Sequence, residues 1–406
     1  MNVWTNFVLI FTSILYFISC LGTHLYVLYE GYGFSVASLY CLGFITGAVT
    51  APVTGALVDK FGRKKAALLY CFLEIGINLL EQYPYIVGLV ISRMIGGITT
   101  NLLCSVFETW LDTEYRRRGF DPAKYEDLMR DSMVVKNMAA IASGYLAHGL
   151  AERLGPVGPF KGAVACTVIA FVVVAAVWTE NYGSAQVEER DNKSVAGYMK
   201  EAVKVFKNDT RILRVCIIQG LSLGALMIFI FLWSPILANL AKGAPANLSM
   251  GLIDGQHEPA YGLIFGAFMA AGVIGGLCSC YVRKAVTVLL SPLKDAGDPD
   301  NNTVTIEGEG EVRPMAVEFL AAICYMLSAF LFLVPCLFTD SDPSAFMYCI
   351  GAFIVYEVLL GVYSPCEGVI RSLYIPSDCR ASIMTLPSII VNVAVSIGVA
   401  STNVIE

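Results

Sequence analysis

Charge is what this chain has least of. Only 15% of its residues are Asp, Glu, Lys or Arg, against roughly a quarter in an ordinary soluble domain. Hydrophobic residues make up 56% and the mean hydropathy is +0.66, which excludes a soluble globular fold and implies a polytopic membrane protein. No block of basic residues stands out and the net charge is -6, so a nucleic-acid partner has no electrostatic footprint to bind. No CxxC pair occurs among the 13 cysteines. They are scattered through apolar segments, with Cys278 and Cys280 closest together, and read as small buried hydrophobes rather than metal ligands or a disulfide framework. The chain also lacks a GxxxxGK[ST] phosphate loop, an HExxH helix and an EF-hand pattern. An ATP-driven pump is thereby disfavoured, no metal or cofactor is expected, and the protein is not read as an enzyme. No cleavable leader is expected either, since the first apolar run has no basic region before it and continues to Tyr29.

Long apolar runs are what the sequence has instead. At about 20 residues per crossing, helical spans are expected over 4–29, 34–57, 66–82, 85–109, 131–152, 160–179, 211–239, 259–282, 314–337, 345–369 and 381–403. The largest polar interruptions are 180–210 and 283–313. Six spans, a long loop and further spans predict two related six-helix bundles. The expected division is an N-terminal bundle over 1–179, a linker over 180–210, and a C-terminal bundle over 211–406. Eleven spans are visible, and the chain stops at Glu406 where a twelfth would begin, so the second bundle reads as incomplete. Within the linker, Val195, Tyr198, Met199, Ala202, Val203 and Phe206 share one face, which predicts an amphipathic helix at the membrane surface over 195–207.

Orientation follows from the basic residues. If the N-terminus is cytoplasmic, 22 of the 27 Lys and Arg residues lie in cytoplasmic loops. Three, Arg153, Lys161 and Lys242, lie on the opposite side, and Arg93 and Lys136 lie in spans. The bias predicts a cytoplasmic N-terminus. Of the glycosylation sequons, Asn192, Asn208 and Asn301 then fall inside, leaving Asn247 as the acceptor.

The stretch SRMIGGITTNLLCSVFETW, 92–110, is apolar yet keeps Arg93 and Glu108. At about 100° per residue, Arg93, Gly97, Asn101, Cys104 and Glu108 fall on one stripe, and fifteen residues at about 1.5 Å rise separate the two charges by roughly 22 Å. They cannot pair directly. Charge inside a bilayer costs about 2.5–3.5 kcal/mol at mid-depth, so the stripe should face the bundle interior or a wet cavity. Arginine's planar fork suits an oxyanion, which makes Arg93 an anion-ligand candidate, the alternative being a structural pair with a carboxylate such as Glu74. Asn101, Asn137 and Gln219 can add hydrogen bonds. Lys136 is either a second cationic contact or a side chain snorkelling to the interface.

The tenth span carries Glu357 in mid-membrane, a candidate proton carrier for coupling, and then YSPCEGVIR, where Pro365 should break or kink the helix between Gly361 and Gly368. SVFE at 105–108 and SPCE at 364–367 occupy equivalent places in the fourth and tenth spans, so Glu108 and Glu367 read as paired gate elements, bonded to Arg117 or Arg371. Gly262 and Gly266, Ala271 and Gly275, and Gly272 and Gly276 form small-residue ridges for close helix packing. His24 reads as an interfacial residue, and Trp233 as part of the outer aromatic belt.

The loop GALVDKFGRKK, 55–65, is the most specific motif. Gly55, Asp59, Lys60, Gly62, Arg63, Lys64 and Lys65 match the pattern G-x-x-x-D-[RK]-x-G-x-[RK]-[RK] of the major facilitator superfamily, which the chain resembles. Gly55 permits close helix approach, Asp59 can cap a neighbouring helix or pair with a basic residue, and Gly62 allows the tight turn. Arg63, Lys64 and Lys65 either act in a gating latch or only fix topology. A narrower resemblance, carried by 92–110, ENYG at 180–183, IFIFLWSPIL at 228–237, GLIFGAFMAA at 262–271 and the Arg371 region, is to the eukaryotic molybdate-anion transporter family. It implies a secondary active transporter, working by alternating access, that takes up molybdate, a tetrahedral dianion. The expected partners are that small anion and the lipid bilayer, for a monomeric protein of the plasma membrane. A carrier of another solute, or a non-transporting receptor or scaffold of the same fold, are the alternatives.

Overall fold

The computed structural model describes residues 25–120, 125–182, 194–243, 259–289, 314–338, 342, 344–376 and 380–402. Among these, every extended regular element is a helix: α1 Leu25–Gly31, α2 Val36–Phe61, α3 Arg63–Leu80, α4 Ile86–Arg117, α5 Tyr125–Leu154, α6 Gly158–Val177, α7 Val195–Asn208, α8 Thr210–Gly243, α9 Tyr261–Leu289, α10 Pro314–Phe332, α11 Ala345–Tyr374, α12 Arg380–Met384 and α13 Leu386–Thr402, with a short 3-10 turn at Val334–Leu337. Eight of the described helical stretches are long and apolar enough to cross a membrane, as expected of a multi-pass membrane protein.

The expected spans 66–82 and 131–152 do form helices, α3 and α5, but these are too polar to stand among the eight. α3 opens on Arg63, Lys64 and Lys65, and α5 opens on YEDLMRD. The expected first span, 4–29, lies outside the described residues except for α1. Of the break or kink expected at Pro365, the break does not occur: α11 continues from Ala345 to Tyr374 with Pro365 inside it. Proline removes the hydrogen bond to residue i−4 and crowds its carbonyl. Here that residue is Gly361, packed against α9.

The chain divides into two compact units, each drawing helices from both halves of the sequence. In the first unit, 10–119, 142–228 and 374–406, α2 is the central helix, with α4 and α13 packed along it, α3 lying against α4 and α6, and α7 and α12 against α2. α4 approaches α2 backbone to backbone: a Cβ on Gly97 would collide with Gly43 O and Gly47 N. Small residues allow this, and close packing is what associates helices where lipid is as apolar as leucine. α8 meets α13 similarly, with Gly220 against Ile390 and Gly224 against Ala394.

α7 is the expected amphipathic helix, begun by Ser194, whose hydroxyl accepts from Gly197 N at 3.1 Å. Its inner face holds Tyr198 and Ala202, with Val205 and Phe206 packed on a cluster of Ile212, Cys216, Ile375, Ile383 and Met384. Val203, expected on that face, is instead exposed, because it lies about 100° from Ala202.

In the second unit, whose described residues fall within 120–141 and 229–373, α9 crosses α11 where Gly272 and Gly275 meet Val358 and Gly361. The small-residue ridge of the eighth span is used there, whereas Gly266 has nothing within 4 Å. Phe229, Phe268, Phe332, Phe353 and Tyr356 form an aromatic core with ring centroids 4.5 to 6.3 Å apart.

Candidate functional site

The 55–65 motif builds a buried polar junction in the first unit. α2 ends at Gly62, whose φ of 101° lies in the left-handed region. A Cβ at Gly62 would also strike the Glu180 carboxylate and the Tyr182 ring. The turn therefore delivers Arg63 inward: its side chain is fully buried, 3.8 Å from Asp59 and bonded to Thr113. Asp59 is itself buried and reaches the first residues of α12. It accepts from Ala381 N at 3.2 Å, Ser382 N at 2.8 Å and Ser382 Oγ at 2.7 Å. Gly55 lets α12 come this close, since a Cβ there would enter Thr385 Oγ1, Ala381 O and Ser382 Cα.

Charges from α4 complete the junction. Asp112, buried, pairs with Arg380 at the start of α12 and with Arg116 at 3.0 Å. Arg380 also donates to Ile375 O at 2.7 Å. Glu114 holds Arg117 at 3.1 Å and Arg118 at 2.8 Å. On the other side, Glu180 caps α3, accepting from Lys64 N at 2.9 Å and Lys65 N at 3.2 Å, where the free N–H groups and dipole of a helix start favour an anion. Asn181 anchors that segment by accepting from Arg63 N at 3.2 Å and donating to Trp110 O at 3.0 Å. Trp110 stacks on Trp178 at 3.8 Å. Buried charges are tolerated only when paired and hydrogen-bonded, and here each carboxylate meets a guanidinium or backbone N–H groups.

The opposite end of α4 holds the second cluster. Arg93 pairs with Glu81, which follows α3. Tyr29 OH donates to the same Glu81 oxygen at 3.2 Å, as does Ser92 Oγ at 3.3 Å, and the guanidinium lies 5.6 Å from the Tyr29 ring centroid. Between the two ends, Asn101 does not open onto space. Fully buried, it donates to Gly47 O at 2.8 Å and Thr50 Oγ1 at 3.2 Å on α2. Cys104 and Glu108, the remainder of the stripe, are half-buried on α4, and Gln219 is buried on α8.

In the second unit, buried Asn137 on α5 and buried Glu357 on α11 meet at the Gly272 notch: their Nδ2 and Oε2 lie 2.5 and 3.7 Å from where a Cβ would stand. Lys136, beside Asn137, is half-buried. Glu367 accepts from Tyr325 OH at 2.5 Å and lies 3.7 Å from Arg371. Arg117, offered as a partner for Glu108, is held by Glu114. Asn247 and His24 lie outside the described residues. Asp112, Glu114, Glu180, Arg380, Ser382 and Glu81 were not among the sequence candidates. The i,i+4 pairs Asp112/Arg116 and Glu114/Arg118 in ETWLDTEYRRR were a readable signal, but nothing local marks Arg380 or Ser382.

Comparison with known proteins agrees with this architecture. A major facilitator family described as sugar transporters with 12 TM segments matches residues 2–286, well over half of the chain. The chain belongs to this family. It is also similar to the molybdate-anion transporters of Xenopus tropicalis, at 26% identity over 93% of this chain and 74% of that protein, and of Takifugu rubripes, at 24% identity over 89% and 72%. Among solved structures, a bacterial homologue of the iron transporter ferroportin in the outward-facing state superposes with a TM-score of 0.63 at 12% identity, covering 100% of this chain and 92% of that one. The proton:xylose symporter XylE gives 0.60 at 11%, covering 99% and 88%. These likenesses are to the fold. The protein is thus a membrane transporter of major facilitator type.

Proposed function

We propose that the protein is a secondary active transporter that takes up molybdate by alternating access between an N-terminal bundle, 1–179, and a C-terminal bundle, 211–406, with its N-terminus in the cytoplasm. The observation that carries this reading is the Asp59 junction. A fully buried carboxylate spends its hydrogen bonds on a helix more than 300 residues away in sequence, and the buried Arg63, Asp112 and Arg380 surround it. The carboxylates of such a network are paired when it is closed and left unpaired when it is half-open, which favours two discrete states over intermediates. The basic residues around it support a cytoplasmic placement of this end, and on that reading the junction is the inner latch. Glu108, and Glu367 with Arg371, are the further gate elements.

Molybdate is the cargo that the named relatives point to, and a guanidinium fork fits a tetrahedral oxyanion. Arg93 is then the principal anion ligand in the first unit, where Gln219 adds a hydrogen-bond donor, and Lys136 and Asn137 are the anion contacts of the second; Asn101, offered as a further donor, has both amide hydrogens on Gly47 O and Thr50 Oγ1 and positions α4 instead. Glu357, buried in mid-helix on α11, carries the coupled proton. The test is uptake of labelled molybdate by cells expressing wild type and Arg93→Ala at equal surface density. Uptake falling at least tenfold supports the reading, and undiminished uptake removes Arg93 from the site. Competition by tungstate and sulfate against a hexose distinguishes an oxyanion carrier from a sugar carrier, the cargo in the family's description.

A further inference from the structure

We infer that Glu81 is a proton-accepting group of the anion site, which holds Arg93 until protonation of its carboxylate releases the guanidinium to an incoming oxyanion. The inference rests on the reading of Arg93 as the anion ligand and adds the group that controls its availability.

As it stands, Arg93 is not a free cation. It is paired with Glu81, the two side chains being 15% and 3% exposed. A dianion approaching this pair meets no net positive charge. It also meets the field of Glu74, two turns back on the same face of α3. Arg93 can therefore hold an anion only when a neighbouring carboxylate has lost its charge or moved.

The hydrogen bonds identify which carboxylate and which oxygen. Arg93, Tyr29 OH and Ser92 Oγ all converge on Glu81 Oε1, while Oε2 has no hydrogen bond among the described residues. A proton can settle on Oε2 without displacing Tyr29 or Ser92, which continue to donate to Oε1 as the oxygen of a neutral acid. Protonation removes the one interaction that depends on charge, the pair with Arg93. The guanidinium is already prepared for another acceptor, because its Nε is buried with no hydrogen-bond partner among the described residues, an unmet donor that carries a cost. Nε with one Nη forms the bidentate edge that oxyanions fill.

The groups around Glu81 fit this role. From α1 and the turn after it, it is faced by the Tyr29 and Tyr32 hydroxyls, Tyr32 bonding its backbone carbonyl at 3.1 Å. Tyr40 of α2 packs edge-on to Tyr29. α3 supplies Glu74, and α4 supplies Ser92 and Arg93. Leu28, Leu89 and Phe160 form the apolar wall. Arg93 is the one cation in this set, so the carboxylate and the transported anion compete for it. The exchange balances: one proton moves from solution to Oε2, the Arg93 bond passes from carboxylate to oxyanion, and release runs both steps backwards. One proton is bound at Glu81 with each anion, a proton of the binding step distinct from the one that Glu357 carries through the transport cycle, and affinity is high in acid and lost as pH rises.

The test is binding of radiolabelled molybdate to the purified full chain, from acidic to mildly alkaline pH, with proton uptake followed by an indicator dye in weak buffer. One linked proton lowers wild-type affinity about tenfold per pH unit above the titration of Glu81. Glu81→Gln, with the same shape and no charge to compete, should bind at every pH as tightly as wild type does in acid, without proton uptake through this site. Glu81→Asp should retain the slope. If Glu81→Gln keeps the wild-type slope and proton uptake, the proton is carried elsewhere and the inference is overturned. Should Glu81→Gln fail to fold, anion binding to wild type without any proton uptake overturns it equally. Unaltered binding by Arg93→Ala sinks instead the parent reading, so the two failures are distinct.

Discussion

Asp59→Asn is the sharpest perturbation of the latch, because it keeps the volume and removes the charge. The carboxylate accepts two backbone N–H bonds, at 3.2 and 2.8 Å, and one hydroxyl bond at 2.7 Å. An amide can keep one of these oxygens but must turn an NH2 group toward the other donors. Hydrogen bonds to a charged group contribute about 1.5–3 kcal/mol each; with the amide oxygen turned to Ser382, the Ala381 bond is lost and the two Ser382 bonds fall from charged to neutral strength, together about 3 kcal/mol. Arg63, fully buried, also loses its nearest counter-charge, and breaking a buried pair costs about 3–5 kcal/mol, softened here by Asp112 and Glu180 in the same field. A latch weakened by about 3 kcal/mol opens roughly 100-fold more often. The Ala381 and Ser382 amides bonded to Asp59 report this directly by hydrogen–deuterium exchange. Their protection should fall by about two orders of magnitude, while amides near Gly97 and Asn101 on α4 keep theirs. Unchanged exchange at 381 and 382 in a folded variant would refute the latch.

Gly55→Ala attacks the same contact sterically, since the added methyl meets Thr385, Ala381 and Ser382. Overpacking of this kind costs about 1–3 kcal/mol and should raise exchange at 381 and 382 with Asp59 intact; exchange equal to wild type would mean that α12 yields freely. Glu180→Ala removes the cap of α3, worth about 1 kcal/mol. It should lower the thermal midpoint in detergent, and an unshifted midpoint would show that the cap contributes nothing.

Much of the fold was legible because bilayer physics is coarse: length and apolarity fix a span. α3 and α5 show where that breaks down: α3 is short and opens on Arg63, Lys64 and Lys65, and α5 carries Lys136, Asn137 and His148 along its length, so neither is as apolar as its neighbours. The site was legible where its chemistry is local. Gly55, Asp59, Gly62 and Arg63 stand within nine residues and meet in one junction. Their partners, Arg380 and Ser382, sit in an unremarkable stretch, and only tertiary folding brings them there. The phase of 92–110 placed Arg93, Gly97 and Asn101 on one stripe correctly. Periodicity states that residues share a face, not what the face meets, and the middle of this one meets α2.

Under the proposed alternating access, that contact decides which seam of α2 can part. Toward α4, Gly97 sits against the α2 backbone and Asn101 donates into Gly47 O, so sliding would break a hydrogen bond to main chain deep in the unit. Toward α13, Asn392 presses its amide on the same Gly47, yet its buried Nδ2 has no hydrogen-bond partner among the described residues. Opening this second seam sacrifices no bond at that donor and lets it find water or substrate, which offsets the cost of leaving it unmet. The Asp59 bonds to Ala381 and Ser382 then supply most of the polar attachment on that side. On the proposed mechanism α2 and α4 therefore move together, and the α2 seam with α12 and α13 is where the gate opens once Asp59 lets go.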